Sequence, residues 1–185
     1  MSDTKVKIIQ AAVQAFTRYG VRRTSMGDVA SAAGVSRQTL YANFGNKDDL
    51  LAAAMTVVID QIMQQLAKAW AQSETAEQVI DAYFEHAVYR PFTIMQQMPE
   101  LKDLIHGVGS ATALVGKQAE SEKAKALAQQ FAPYKPQLVA SGTTQIAVAE
   151  FIVRATNEFK FSATEFGELE GLMKTLKTLV LAMVG

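Results

Sequence analysis

Between residues 50 and 70, apolar side chains recur at steps of three or four: Leu50, Leu51, Ala54, Val58, Ile62, Leu66 and Trp70. This spacing lines them along one stripe of a helix of about six turns. No part of the chain shows the opposite signature, β-branched and polar residues alternating between hairpin turns. The rest repeats the helical period, so the expected fold is all-α, with about nine helices.

Start and stop signals divide the chain. Val6, Ile9, Ala12, Val13 and Phe16 give a first helix over about 4–18, closed by Tyr19-Gly20. A second runs over about 26–32 behind Thr24 or Ser25, with Asp28 favouring its positive end. Gly34 makes a turn, and a short third helix covers Ser36 to about Phe44. The long helix begins near Asn46-Lys47-Asp48-Asp49 and reaches about residue 72. Helices one to three are too small to bury their apolar faces separately. With the start of helix four they share a core of Phe16, Val29, Val35, Leu40, Phe44 and Leu50. The boundary therefore falls inside helix four, near residue 50: a head over 1–50 and a body over 51–185.

In the body the pattern predicts a helix at about 75–89, ended or kinked by Pro91, and irregular or broken helix over 92–107. Further helices are expected at about 110–131, 137–158 and 164–184, with breaks at APYKP (132–136) and EFKFS (158–162).

Composition excludes several function classes. The chain has no cysteine, so disulfides, a thiol nucleophile and cysteine-based zinc or iron–sulfur sites are out. His86 and His106 are the only histidines and lack a supporting cluster, so no metal site is expected. Phosphate-loop and dinucleotide glycine patterns are absent, and no nucleophile–base–orienter set is visible. No cofactor and no enzymatic activity are expected. The N-terminus lacks a signal-peptide pattern and no run of 18 apolar residues occurs, so a soluble cytoplasmic protein without membrane attachment is expected.

Net charge is zero, yet it is unevenly placed. Residues 1–47 carry seven basic side chains against two acidic ones, or +5, which leaves −5 for the remainder. A basic head on an acidic body is the distribution expected if only the head meets phosphate.

The stretch AGVSRQTLYANF (33–44) gives that head a means of reading sequence. Two short helices joined by a glycine turn form a helix-turn-helix, whose second helix fits the DNA major groove. Ser36 can cap it, and Arg37, Gln38 and Thr39 occupy its first turn, where side chains reach base edges. Leu40 and Phe44 share the face that holds it to the head. Tyr41 and Lys47 can reach phosphate, as can Thr24 and Ser25 at the second helix. A similar corner also occurs in helical proteins that bind no DNA, and a helical protein-interaction module remains an alternative.

The N-terminal segment resembles the TetR family of bacterial transcriptional repressors. The resemblance runs from I9-Q-A-A-V-Q-A-F-T-R-Y-G20 through T24-S-M-G-D-V-A30 and A33-G-V-S36 to T39-L-Y-A-N-F-G-N-K47-D-D-L-L51. Asn43 departs from the pattern, where histidine is usual. The resemblance implies a homodimer whose two heads occupy successive major grooves of a near-palindromic DNA operator. Arg37, Gln38 and Thr39 would face bases; Thr24, Ser25, Tyr41, Asn43 and Lys47 would hold phosphates; Gly34 would make the turn. It also implies repression, although a protein of this architecture can activate, depending on where its site lies.

In the family the last two long helices form the dimer interface. Here Phe166, Leu169, Leu172, Met173, Leu176, Leu179, Val180 and Met183 cover more than one partner helix needs, and Ala140, Gly142, Ala147 and Ala149 allow close approach. The family further implies a small-molecule effector bound in the body. Candidate lining residues are Trp70, Tyr83, Phe84, His86, Tyr89, Phe92, Met95, Met98, Leu101, Ile105 and His106. Aromatic and methionine side chains suit an adaptable apolar cavity, which favours an apolar or aromatic effector.

Overall fold

The computed structural model describes residues 2–97 and 110–184. Those residues are entirely helical apart from turns. Helix α1 (Asp3–Tyr19) is capped by Ser2, whose side chain accepts from the Lys5 N–H, and ends at Gly20 with φ of 79°. Helices α2 (Met26–Ala32) and α3 (Arg37–Asn43) follow, then the long α4 (Lys47–Trp70). The next rod is continuous: α5 (Ala76–Tyr83), a π-helical segment (Phe84–Tyr89) and α6 (Arg90–Gln97). Then come α7 (Ser110–Gln130), a 3-10 turn (Ala132–Tyr134), α8 (Lys135–Ala140), α9 (Gln145–Ser162) and α10 (Phe166–Val184).

Three expected boundaries are corrected. Pro91 neither ends nor visibly breaks its helix, because the π-helical segment just before it shifts the hydrogen-bond register. In a regular α-helix Ala87 O would accept from the N–H of residue 91, which proline lacks. In the shifted register the Arg90 N–H donates to Glu85 O, and Ala87 O accepts from Lys160 Nζ at 3.5 Å. The predicted helix 137–158 is two helices, divided at Gly142 with φ of 77°, a left-handed position that glycine takes without strain. EFKFS is not a break but the last turns of α9. The chain turns at Ala163–Glu165, where Glu168 accepts from the Thr164 N–H and hydroxyl. Of the region expected to be irregular, 92–97 is helix and 98–107 lies outside the described residues.

The chain divides into two compact units. One comprises Met1–Asp60 with Met95–Lys117, the other Gln61–Ile94 with Gln118–Gly185. The core of the first is apolar. Ile8, Phe16, Val29, Leu40, Phe44 and Leu50 are buried in it, and Val35 packs against its edge. In the same unit Asp48, near the start of α4, accepts from the Ala111 N–H at 3.2 Å and the Thr112 hydroxyl at 3.0 Å.

The core of the second unit gathers Leu66, Trp70, Ile80, Tyr83, Phe92, Leu127, Phe131, Ile152, Leu169 and Met173. Trp70 donates its indole N–H to Val79 O at 3.0 Å. On the surface, Lys177 of α10 bridges Glu77 and Asp81 of α5. Helix α4 is long and apolar enough to cross a membrane by length and composition, with 28% of that window buried. Its N-terminal turns (Leu50, Leu51, Ala54) and its C-terminal turns (Leu66, Trp70) belong to the cores of the two units.

Candidate nucleic-acid interface

The corner between α2 and α3 is held by side chains that satisfy the free N–H groups at helix starts. Ser25 and Asp28 form a reciprocal capping box on α2: Ser25 N–H donates to Asp28 at 2.8 Å and Asp28 N–H to Ser25 Oγ at 3.1 Å. Gly34 follows with φ of 66° and open space around it, so backbone conformation alone demands glycine there. Ser36 caps α3, accepting from the Thr39 N–H at 3.0 Å. Leu40 and Phe44 are buried in the head core. The opposite face of α3 is thereby fixed outward, with Arg37, Gln38 and Tyr41 exposed and Thr39 half-buried.

Charge on this face is organised by one carboxylate. Asp28 lies well below the usual carboxylate range because the Ser25 backbone and hydroxyl both donate to it, and Arg37 and Lys47 add their attraction. The Arg37 guanidinium lies back across α2, so a Cβ at Gly27 would come within 2.6 Å of it. Burial pushes the Lys47 amine down from its ordinary value, and Asp28 opposes that shift. Two basic groups from α3 and α4 thus converge on one acidic group of α2.

Several expected contacts take other roles. Thr24 is only 2% exposed, and its hydroxyl donates inward to Gly20 O at 2.8 Å. Its backbone N–H donates to the same carbonyl, so it ties the end of α1 to the start of α2. Ser25 is exposed, but its hydroxyl is 2.7 Å from Asp28, which already fills the anion-favouring end of α2. The Asn43 amide donates to Thr39 O at 2.8 Å and closes the end of α3 instead of reaching outward. Thr39 Oγ1 lies 2.8 Å from Ser36 Oγ. Only the folded geometry separates these roles from the ones the sequence suggests: serine, threonine and asparagine serve a cap or a ligand equally well.

The residues expected in the body separate too. Trp70, Tyr83, Phe84 and Phe92 are buried in the second unit and Met95 in the first, while His86 and Tyr89 are half-buried. Met98, Leu101, Ile105 and His106 lie outside the described residues. Of the expected dimer residues, Leu169, Met173, Leu176 and Val180 are interior to the protomer, because that face of α10 closes its own core. Phe166 and Leu179 are exposed, and Leu172 and Met183 half-exposed. Sequence reading missed Phe151 of α9, which is 58% exposed, as open to solvent as Leu179 at 59%. Its omission has a simple source, since a lone phenylalanine between Glu150 and Ile152 reads as core. Ala140, Gly142 and Ala147 are exposed, and Ala149 is buried.

Comparisons with known proteins place this arrangement. Residues 8–54 match the family of bacterial regulatory proteins, tetR family. The chain is 38% identical over 77 residues to the HTH-type transcriptional regulator TtgR of Pseudomonas putida, a stretch covering 42% of this chain and 35% of that protein. It is 28% identical over 99 residues to the HTH-type nicotine-responsive transcriptional repressor HdnoR of Paenarthrobacter nicotinovorans, covering 51% of each. The similarity therefore spans about a third to half the length of these curated relatives. The fold extends further. A transcriptional regulator from a Rhodococcus species superposes with a TM-score of 0.71 at 13% identity, covering 96% of both chains.

Proposed function

We propose that this chain is a TetR-family, ligand-responsive DNA-binding transcriptional regulator, on the match of residues 8–54 to that family and the likeness to regulators of it. In this reading it works in the cytoplasm as a homodimer on a near-palindromic operator. It is a repressor released by a small-molecule effector. The reading is of a regulator and not of an enzyme, in keeping with the names its relatives carry.

The observation that carries it is the exposed face of α3. Arg37 and Gln38 project from a short capped helix whose other face is buried in the head, and the segment around it holds an excess of five positive charges. Arginine pairs with guanine N7 and O6, glutamine with adenine N6 and N7, and each good bidentate pair discriminates by roughly 1–3 kcal/mol. Tyr41, 52% exposed, and Lys47 are the phosphate ligands. On binding, the Arg37 guanidinium leaves its place over Gly27 for the base edge.

A dimer places two α3 helices in major grooves about 34–36 Å apart. The exposed apolar side chains Ile146, Phe151 and Leu179, with half-exposed Leu172, on α9 and α10 are the proposed contact face. Repression is favoured over activation by the likeness to a protein named as a repressor. Selection from a random duplex pool tests the reading. It should return a two-fold symmetric site, and recovery of no enriched sequence would leave the helical interaction module as the better account.

The two basic residues have separable expected effects. Arg37→Ala should relax discrimination at one base position in each half-site. Lys47→Ala should weaken all duplexes about equally and lower the salt slope by about one. Titrations at several salt concentrations distinguish them, and two identical profiles would contradict this division of roles.

A further inference from the structure

The interior of the second unit holds a polar cluster that the DNA-binding account does not use. Lys160 of α9 is only 8% exposed. Its Nζ donates to Asn157 Oδ1 at 3.2 Å and to Ala87 O of the π-helical segment at 3.5 Å. Asn157 Nδ2 in turn donates to Glu120 Oε1 of α7 at 2.8 Å. Lys123, one turn along α7, stands near enough for its charge to act against that of Lys160. Tyr83 lies alongside, its hydroxyl 3.4 Å from Thr156 Oγ1.

The charges of this cluster do not balance. Two lysines face one carboxylate, and among the described residues none pairs directly with Lys160; Glu120 reaches it through the Asn157 amide. A buried ammonium without a directly paired carboxylate is costly to keep. Its surroundings are otherwise apolar and aromatic, with Phe161 5.6 Å from Nζ and the π-helical segment Phe84–Tyr89 contributing Ala87. Single π-helical turns inside helices are frequent at functional sites. Glu120 and Lys123 are half-buried, so the cluster runs from the interior to the surface.

We propose that Lys160, Lys123 and Asn157 form an anion subsite for the effector, and that the effector is an amphipathic small organic acid carrying one negative charge. The inference rests on the regulator reading above and narrows it: the expectation of an apolar or aromatic effector gains a single acidic group. The anion supplies the missing charge, accepts from the ammonium of Lys160 and is flanked by that of Lys123. Its apolar part lies against Tyr83, Phe84 and Phe161.

The proton balance gives a second signature. Burial, followed by the charge of Lys123, pushes Lys160 down to about 7, while Glu120 opposes the shift. The ammonium is lost as pH rises through that value, so affinity for an anion should fall over the same range. Lys123 and Glu120 of α7 and Tyr83 of α5 are the other titratable groups facing it, and burial pushes the Tyr83 hydroxyl up, out of that range.

Fluorescence titration of the full chain with two aromatic probes tests the proposal. One is anilinonaphthalene sulfonate, a monoanion; the other is phenylnaphthylamine, its neutral counterpart. The sulfonate should bind more tightly and weaken as pH rises through about 7. Lys160→Met should cost it about tenfold in affinity, the scale of one charge-assisted hydrogen bond, and remove the pH dependence while leaving the neutral probe unaffected. Lys123→Met, at a half-buried position, should reduce sulfonate affinity in the same direction and decides the matter if Lys160→Met fails to fold. Equal affinity for the two probes, no saturable sulfonate binding, or variants that bind both probes as the parent does would overturn the subsite. A gel shift on the selected operator, run on the same preparations, separates the two claims. DNA binding released by the neutral probe alone upholds the regulator and rejects the subsite. Absence of DNA binding rejects the regulator, and the probe titrations then judge the subsite by themselves.

Discussion

The head and the interior of the second unit solve the burial of polar groups in opposite ways. In the head, the buried cluster around Phe16 and Leu40 is apolar, Thr24 turns its hydroxyl onto backbone carbonyls, and Arg37 and Gln38 stand in solvent. In the second unit a lysine sits inside, tied to an amide, a backbone carbonyl and, one step further, a carboxylate. An apolar, close-packed core fixes one geometry and suits a part that presents the same surface every time. An interior with unbalanced charge gives up stability and suits a part that has something to bind.

Mutations can break or sharpen this contrast. The largest effect is expected for Leu40→Ala, which empties a fully buried position of the head core and should cost about 2–5 kcal/mol in urea denaturation. A cost below that range would mean that the head core relaxes around the cavity. Thr156→Val probes the other interior. Thr156 donates to Val153 O at 3.1 Å, so the Tyr83 hydroxyl is the donor between the two and loses its partner. Stability should fall by about 1–3 kcal/mol, and a neutral result would show that this buried pair is not held by its hydrogen bond.

Ser25→Ala removes the α2 cap and should cost about 1 kcal/mol. Asp28 is depressed by its bonds to Ser25, so its contribution is present above the ordinary carboxylate range and lost as pH falls through the lower folded value. Acid unfolding of Ser25→Ala should therefore show a weaker dependence on pH in that window than the parent. Smallest is Lys177→Ala, whose partners Glu77 and Asp81 are more than half exposed; its loss should register below about 1 kcal/mol in thermal melts.

What was legible in the sequence was what is local. Ser36, Gly34 and the pair Leu40 and Phe44 announce a cap, a turn and a buried face within a short stretch, and each takes that role. The inward bonds of the Thr24 hydroxyl to Ala15 O and Gly20 O are not legible in the sequence, where a threonine before a helix reads as a cap or a ligand. Lys160 was missed altogether. It stands in EFKFS, which reads as a break, and the carbonyl it serves lies 73 residues away in a π-helical segment that reads as ordinary helix. The buried residues of α10, Leu169, Met173, Leu176 and Val180, and its more exposed Leu172, Leu179 and Met183 share one wide apolar stripe, and periodicity alone does not divide that stripe between the chain's own core and an outward face.

The central claim is that α3 reads base sequence through Arg37. The direct measurement is to repeat the random-duplex selection with Arg37→Ala and compare the enriched sites with those of the parent chain. The account predicts the same spacing and symmetry, with preference lost at one base position in each half-site. An unchanged sequence preference would contradict it.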